Sequence, residues 1–299
     1  MKPITHEESN EYLNSGPHSP GEQRAWMNRL LGRSDALAPN SADGVIFFGQ
    51  EDVKSQVAPF LDRPKGFPNT LVLGESGSGK TQFAKWIASQ RRESFEEMLC
   101  PVKPEDIPVR GIVLLDEAHK QRNPEWLFPT MESDKVTVLA ATTRPELLEP
   151  AFKTRFFITI YLPRADEQAL VELCEYLLAD VTEESALVYA GASAGNPRQM
   201  ERICATAEEI GVNDPDLVLA TCRLTADGVT EYQIRLLEAL QRAARPMGLG
   251  SLAVMTYSDE QTIREAERLL VEEELIDLLS NGRTLTKRGK RYLERVNES

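Results

Sequence analysis

Gly74-Glu75-Ser76-Gly77-Ser78-Gly79-Lys80-Thr81 fits the pattern G-x-x-x-x-G-K-[ST], and few short motifs restrict a fold so tightly. The pattern needs a strand ending at its first glycine and a helix opening at its lysine. Only that geometry curls consecutive backbone N–H groups around a phosphate. Both flanks comply: Thr70-Leu71-Val72-Leu73 reads as a buried strand and Gln82–Ala88 as a helix. Lys80 is then expected on the β- and γ-phosphate oxygens and the Thr81 hydroxyl on Mg²⁺, with Glu75, Ser76, Ser78 and Gln82 completing the cradle. A chance match in a chain of this size has odds on the order of one in a hundred. The expected ligand is a nucleoside triphosphate, ATP, with Mg²⁺.

Ile112-Val113-Leu114-Leu115 is a second buried strand, and it delivers Asp116 and Glu117 at its C-terminal end, the edge of a parallel sheet where ligands bind. Asp116 is expected to hold the Mg²⁺ and Glu117 to orient and polarise the attacking water. Asp116-Glu117-Ala118-His119 also spells a helicase box. That class carries two tandem motor domains, for which this chain has no room, so the match is incidental.

The 299 residues allow two or three domains. Residues 1–44, rich in Pro, Gly, Ser and Asn, read as a flexible arm. Residues 45–163 alternate strands with helices, as a parallel α/β sheet does, with strands expected at 71–73, 112–115, 136–141 and 157–161. Residues 164–227 carry only helical periodicity. Residues 228–299 read as three helices and a hairpin around Asn281-Gly282, which is a winged helix. No apolar run is long enough to span a membrane, nothing resembles a secretory signal, and the cysteines Cys100, Cys174, Cys204 and Cys222 form no C-x-x-C pair. A cytoplasmic protein with free thiols is expected. The net charge of −13 excludes a surface that is basic throughout, so any DNA contact must be concentrated.

Further segments resemble those of AAA+ ATPases. Phe48-Gly49-Gln50 looks like the adenine-pocket segment, and Ala141-Thr142-Thr143-Arg144 looks like sensor 1, with Thr143 on the attacking water or γ-phosphate. Lys153-Thr154-Arg155-Phe156 resembles the arginine-finger segment, Arg155 being the finger that enters a neighbouring subunit's site. Gly195-Asn196-Pro197-Arg198 resembles sensor 2, with Arg198 reaching the γ-phosphate. Within AAA+ proteins the chain resembles the RuvB family over roughly 45–295. Pro129-Thr130-Met131-Glu132 and Gly248-Leu249-Gly250-Ser251-Leu252-Ala253 add to that likeness. The resemblance implies a P-loop sheet domain, an all-α lid, a winged helix and assembly into a ring, commonly a hexamer, that acts on DNA.

Two departures stand out. RuvB proteins carry a long β-hairpin between the acidic strand and sensor 1 that docks their partner RuvA. Here Lys120–Ala140 leaves room for no more than a turn near Glu132–Asp134, which puts RuvA docking in doubt. Glu75 and Ser76 also stand where RuvB proteins have two prolines.

In the last domain the expected recognition helix, Tyr257–Glu274, carries Asp259, Glu260, Glu265, Glu267, Glu272, Glu273 and Glu274 against Arg264 and Arg268, a poor surface for a DNA groove. The basic run Arg283, Lys287, Arg288, Lys290, Arg291 and Arg295 meets Glu294 alone in the local sequence. Arg283, Lys287 and Arg288 are therefore the expected phosphate contacts, with the wing facing DNA. The functional expectation is a ring motor that couples ATP hydrolysis to DNA translocation or remodelling. The alternatives are an ATP-gated loader or assembly switch acting on a protein partner at DNA, and a scaffold with weak hydrolysis.

Overall fold

A strand with no polar face must be covered on both sides, and the runs at Val136–Thr142 and Gly111–Asp116 have none. In the computed structural model, which describes residues 45–298, they occupy the middle of a five-stranded parallel sheet. The expected arm, 1–44, lies outside the described residues. The strands are β1 (Thr70–Gly74), β2 (Phe95–Leu99), β3 (Gly111–Asp116), β4 (Val136–Thr142) and β5 (Ile158–Leu162), in the spatial order β2-β3-β4-β1-β5. Alternation splits each central strand between two cores. Ile112 and Leu114 pack with Phe83, Ile87 and Val57 of α1 (Glu51–Leu61) and α2 (Lys80–Arg91). Val113 and Leu115 face Leu127 and Met131 near the short α3 (Phe128–Met131), and Phe152 of α4 (Pro150–Lys153). The register sets Leu73 beside Thr142 and Leu115 beside Ala140, so β1, β3 and β4 end at one edge.

β2 is a strand that the sequence does not announce. Phe95-Glu96-Glu97-Met98-Leu99 lacks alternation, because it is the sheet's edge and buries only Phe95 fully. Between β3 and β4 the chain forms 3₁₀ turns at Ala118–Lys120 and Pro124–Leu127 and the single turn of α3. No strand interrupts that span, in line with the shortened connection expected from its length.

The chain divides into two units. The first runs to Thr182 and includes Gly195–Glu201; the second holds Glu183–Ala194 and everything from Arg202 on. Of the helices in the expected lid segment, α5 (Glu167–Leu177) is in the first unit. α6 (Glu183–Ser193) and α8 (Pro215–Cys222) are in the second, and α7 (Pro197–Ile210) contributes to both.

The winged helix starts at α9 (Glu231–Ala243), opened by a capping box in which the Thr230 hydroxyl accepts from the Gln233 N–H and Gln233 Oε1 from the Thr230 N–H. α10 (Leu249–Thr256) and α11 (Glu260–Glu272) follow, the latter capped by Asp259. The hairpin β6 (Ile276–Leu279) and β7 (Gly282–Leu285) pairs Leu279 with Gly282, as the Asn-Gly signal predicts. Gly282 has φ +141°, and a side chain there would strike the Met247 backbone. The basic tail beyond the hairpin is an amphipathic helix, α12 (Lys287–Glu298), that buries Tyr292 and Leu293 against Leu236, Leu240 and Ile263. Among the described residues, no helix is long and apolar enough to cross a membrane.

Candidate active site

The phosphate loop joins β1 to α2 as its motif requires. Gly77 and Gly79 adopt φ +81° and +90°, a region closed to most side chains, and a Cβ at Gly77 would collide with the Asn196 amide. Lys80 is 7% exposed, and its ammonium donates to the carbonyls of Gly74 at 3.1 Å and Glu75 at 2.6 Å. Burial pushes its pKa below the ordinary lysine value, and the nearby Arg198 adds to this, against the pull of Asp116 and Glu117. Ser78 Oγ is buried with no hydrogen-bond partner. A loop that holds an unsatisfied hydroxyl and a charged amine occupied only by its own carbonyls fits a phosphate, which would satisfy both.

Asp116 and Glu117 stand at the end of β3. Asp116 Oδ1 accepts from the Glu117 N–H at 2.9 Å, and Glu117 sits in the left-handed region at φ 52° before the turn Ala118–Lys120. That turn carries His119 back over Glu117, with Nε2 3.3 Å from Glu117 Oε2, while Nδ1 lies 2.9 Å from the Thr142 hydroxyl. Thr142 is fully buried at the end of β4, and Thr143 follows it half-buried. Thr81 donates to Glu97 Oε1 at 3.1 Å, so the edge strand brings a carboxylate to the hydroxyl expected on Mg²⁺. Among the described residues no cluster of three or more His, Cys, Asp or Glu is arranged to hold a metal without further ligands.

The sensor-2 segment meets the loop within the first unit. Asn196 Nδ2 donates to the Ser76 carbonyl at 3.1 Å and Arg198 Nη1 to the Ser76 hydroxyl at 3.3 Å. Asn196 Oδ1 accepts from the N–H groups of Arg198 and Gln199 as the helix cap. Arg164 Nε pairs with Glu75 at 3.1 Å. In the adenine-pocket segment, Gly49 has φ +60° and its Cβ position faces Ala169 at 2.5 Å. Phe48 packs on Tyr176, Gln50 donates to the Pro163 carbonyl, and Gln82 donates to the Ile46 carbonyl. Gln50 Oε1 is buried without a partner.

Arg155 is held by α3 and the residue that follows it. It bonds Glu132 at 2.5 Å and lies 4.4 Å over the Phe128 ring, with 40% of its side chain exposed. The contacts of His119 and Glu97 escaped the sequence reading, while Thr142 and Asn196 were named there only as parts of the two sensor segments. His119 was within reach, since it stands two residues from Glu117 in a box set aside as incidental. Glu97 was not, because its strand was not legible.

Half of the winged helix's basic run is paired within its own unit. The count of basic residues opposed by Glu294 alone holds only along the sequence. Arg283 makes a two-pronged pair with Glu267 (2.7 and 3.0 Å), Arg288 pairs with Glu273 and Glu274, and Arg295 pairs with Asp227. Hydrogen bonding to Glu267 raises the Arg283 pKa further above its usual value. Arg283 faces into the domain, and the wing's exposed large side chains are Leu278 and Leu279. Lys287, Lys290 and Arg291 form no ion pair among the described residues and lie exposed on α12.

A central parallel sheet with the phosphate loop, the acidic strand end and the Asn196–Arg198 segment gathered at one edge defines a P-loop ATPase of the AAA+ class. The comparisons narrow it. A model of the RuvB C-terminal winged helix domain matches residues 226–294. The Holliday junction branch migration complex subunit RuvB of Bdellovibrio bacteriovorus is 27% identical, covering 90% of this chain and 94% of its own length. That of Streptomyces avermitilis is 29% identical over 84% of each. Among solved structures, the Thermotoga maritima RuvB Holliday junction branch migration motor matches with a TM-score of 0.71 and 25% identity, over 83% of this chain and 95% of that one. The chain is a RuvB-like AAA+ ATPase, an ATP hydrolase.

Proposed function

We propose that this chain assembles as a ring, on the family pattern a hexamer, and couples ATP hydrolysis to movement along or remodelling of duplex DNA in recombination. The observation that carries the reading is similarity at both ends at once. The curated relatives are matched over most of their own length, 94% for Bdellovibrio bacteriovorus, and the C-terminal segment matches the RuvB winged helix. In the site, Lys80 and Ser78 would hold the β- and γ-phosphates, and Phe48 and Gly49 would flank the base. Arg198 would reach the γ-phosphate. Mg²⁺, held by Thr81 and Asp116, would neutralise charge on the β- and γ-oxygens. Glu117 would polarise water, Thr143 would help to hold it, and Arg155, exposed beside Glu132, would reach the site of a neighbouring subunit. The expected division into a sheet domain 45–163, a lid 164–227 and a winged helix 228–299 belongs to this proposal.

The span between β3 and β4 favours a second reading, because the hairpin expected of RuvB proteins has no strand there. On that reading RuvA docking is lost, and the ATPase loads or switches a different protein at DNA. The discriminating experiment measures ATP turnover with duplex, forked and four-way-junction DNA alongside branch migration. Unwinding without any partner supports the motor. Stimulation by DNA without unwinding supports the loader, and no response to any DNA defeats both. Arg155→Ala should abolish turnover and leave nucleotide binding intact; normal turnover would remove the trans finger.

A further inference from the structure

His119 is more buried than a residue in a surface turn need be, with 8% of its side chain exposed, and both ring nitrogens are engaged. The Thr142 hydroxyl is the partner of one ring nitrogen and Glu117 of the other. The hydroxyl oxygen accepts the Arg144 N–H at 3.0 Å and stands 2.9 Å from His119 Nδ1, and in the inferred arrangement the hydroxyl donates to that nitrogen. That leaves the ring proton on Nε2, which faces Glu117 Oε2 at 3.3 Å. The left-handed backbone at Glu117 makes this possible. In an extended strand the two residues would share a face but stand about 6.6 Å apart along the chain, whereas φ 52° at Glu117 breaks the strand and the turn brings His119 back onto the carboxylate.

We infer that His119 is a positioning residue for hydrolysis: it holds Glu117 Oε2, leaves Oε1 to accept from water, and ties that carboxylate to the end of β4 through Thr142. The chain Arg144 N–H, Thr142, His119, Glu117 links the strand that ends in Thr143 to the group proposed to polarise water. A shift of β4's end on loss of the γ-phosphate would therefore reorient Glu117 without any direct contact between them. The inference rests on the proposed role of Glu117.

The test uses the full-length chain, with steady-state ATP turnover and the affinity for a fluorescent nucleotide measured in parallel. Glu117→Gln first checks the underlying reading; it should bind nucleotide and fail to turn over, and if it turns over normally the Glu117 role and this inference fall together. With that control in hand, His119→Ala should lower kcat by about 10- to 100-fold, the usual cost of losing a group that orients a reacting one. KM and nucleotide affinity should stay within about twofold, because the side chains His119 bonds, Glu117 and Thr142, lie outside the phosphate loop. Thr142→Val, which removes only the hydroxyl, should lower kcat in the same direction, and Thr142→Ser should restore it. The double variant should be no slower than His119→Ala alone, because both changes break one chain. Wild-type kcat in Thr142→Val, or multiplicative losses in the double variant, would overturn the inference. If His119→Ala fails to fold, Thr142→Val against Thr142→Ser decides by the same criterion.

Discussion

Replacing Glu267 by Ala should damage the winged helix more than any other single surface-charge change in it. Glu267 and Arg283 keep only 9% and 15% of their side chains exposed and meet through hydrogen bonds of 2.7 and 3.0 Å. Removing one partner of a fully buried pair costs about 3–5 kcal/mol, chiefly by stranding the other charge. Arg283 retains a path to water, so the expected loss is about 2–4 kcal/mol. For a domain of this size each kcal/mol moves Tm by about 4–8 °C, so the winged-helix transition should fall by at least about 8 °C. The reporters separate cleanly, because the chain's tryptophans are Trp26, Trp86 and Trp126, and the second unit has none. Calorimetry should show the drop, while a change confined to tryptophan emission would place the damage in the wrong unit. Glu267→Met with Arg283→Met should recover most of the loss, since an apolar pair needs no desolvation of charge. A Glu267→Ala transition within about 2 °C of wild type would refute the reasoning.

Three further outcomes follow from the charges and thiols. Nucleotide affinity should fall on the alkaline side at a pH below 10.5, the ordinary lysine value, because phosphate binds the charged form of Lys80 and burial makes that form easier to lose; titration by fluorescence anisotropy from neutral to alkaline pH checks this, and a midpoint at or above that value refutes it. The thiol of Cys100 is pushed up to about 12 by burial, then by Asp116 and Glu117, and Cys174 and Cys204 are buried, so a thiol reagent at pH 8 should modify Cys222 alone before denaturant is added. Lys290→Ala with Arg291→Ala should reduce the slope of log affinity for DNA against log salt by about 1.8, roughly 0.9 for each phosphate no longer neutralised, while Arg283→Met leaves the slope unchanged.

The catalytic edge of the sheet was legible because its elements are local. A glycine-rich loop between a strand and a helix, and an apolar strand ending in Asp116-Glu117, each state their geometry within a few residues. What escaped depends on pairing across distance. β2 is an edge strand whose Glu96 and Glu97 face solvent, so its sequence has no alternation to read, and the contact of Glu97 with Thr81 was hidden with it. The partners of the basic run after the hairpin were hidden for the same reason. Local counting could not see Glu267 one helix away or Asp227 before α9, and half of the apparent cationic surface is neutralised by them and by Glu273 and Glu274. α12 was hidden because its apolar residues are few, although Tyr292 and Leu293 with Val296 at helical spacing anchor it in the core.

That neutralisation bears on how such an acidic chain could hold DNA. The whole chain carries a net charge of −13, and on α12 Lys287, Lys290 and Arg291 are exposed cations that have no carboxylate partner among the described residues. Three phosphate contacts give a salt slope of about −2.7, so affinity falls about 40-fold between 50 and 200 mM salt, and a single copy starts from weak binding. Sequence-independent contacts of this kind become effective only when several copies engage one duplex, since each later contact is then intramolecular. A protomer that cannot hold DNA alone but grips it as part of a closed set would bind only when assembled, and assembly is also what the proposed role of Arg155, exposed beside Glu132, would require. On the proposed function the two sites impose one condition, that neither the DNA contact nor the hydrolytic site is complete in a lone chain, and turnover and DNA affinity should then rise together with protein concentration.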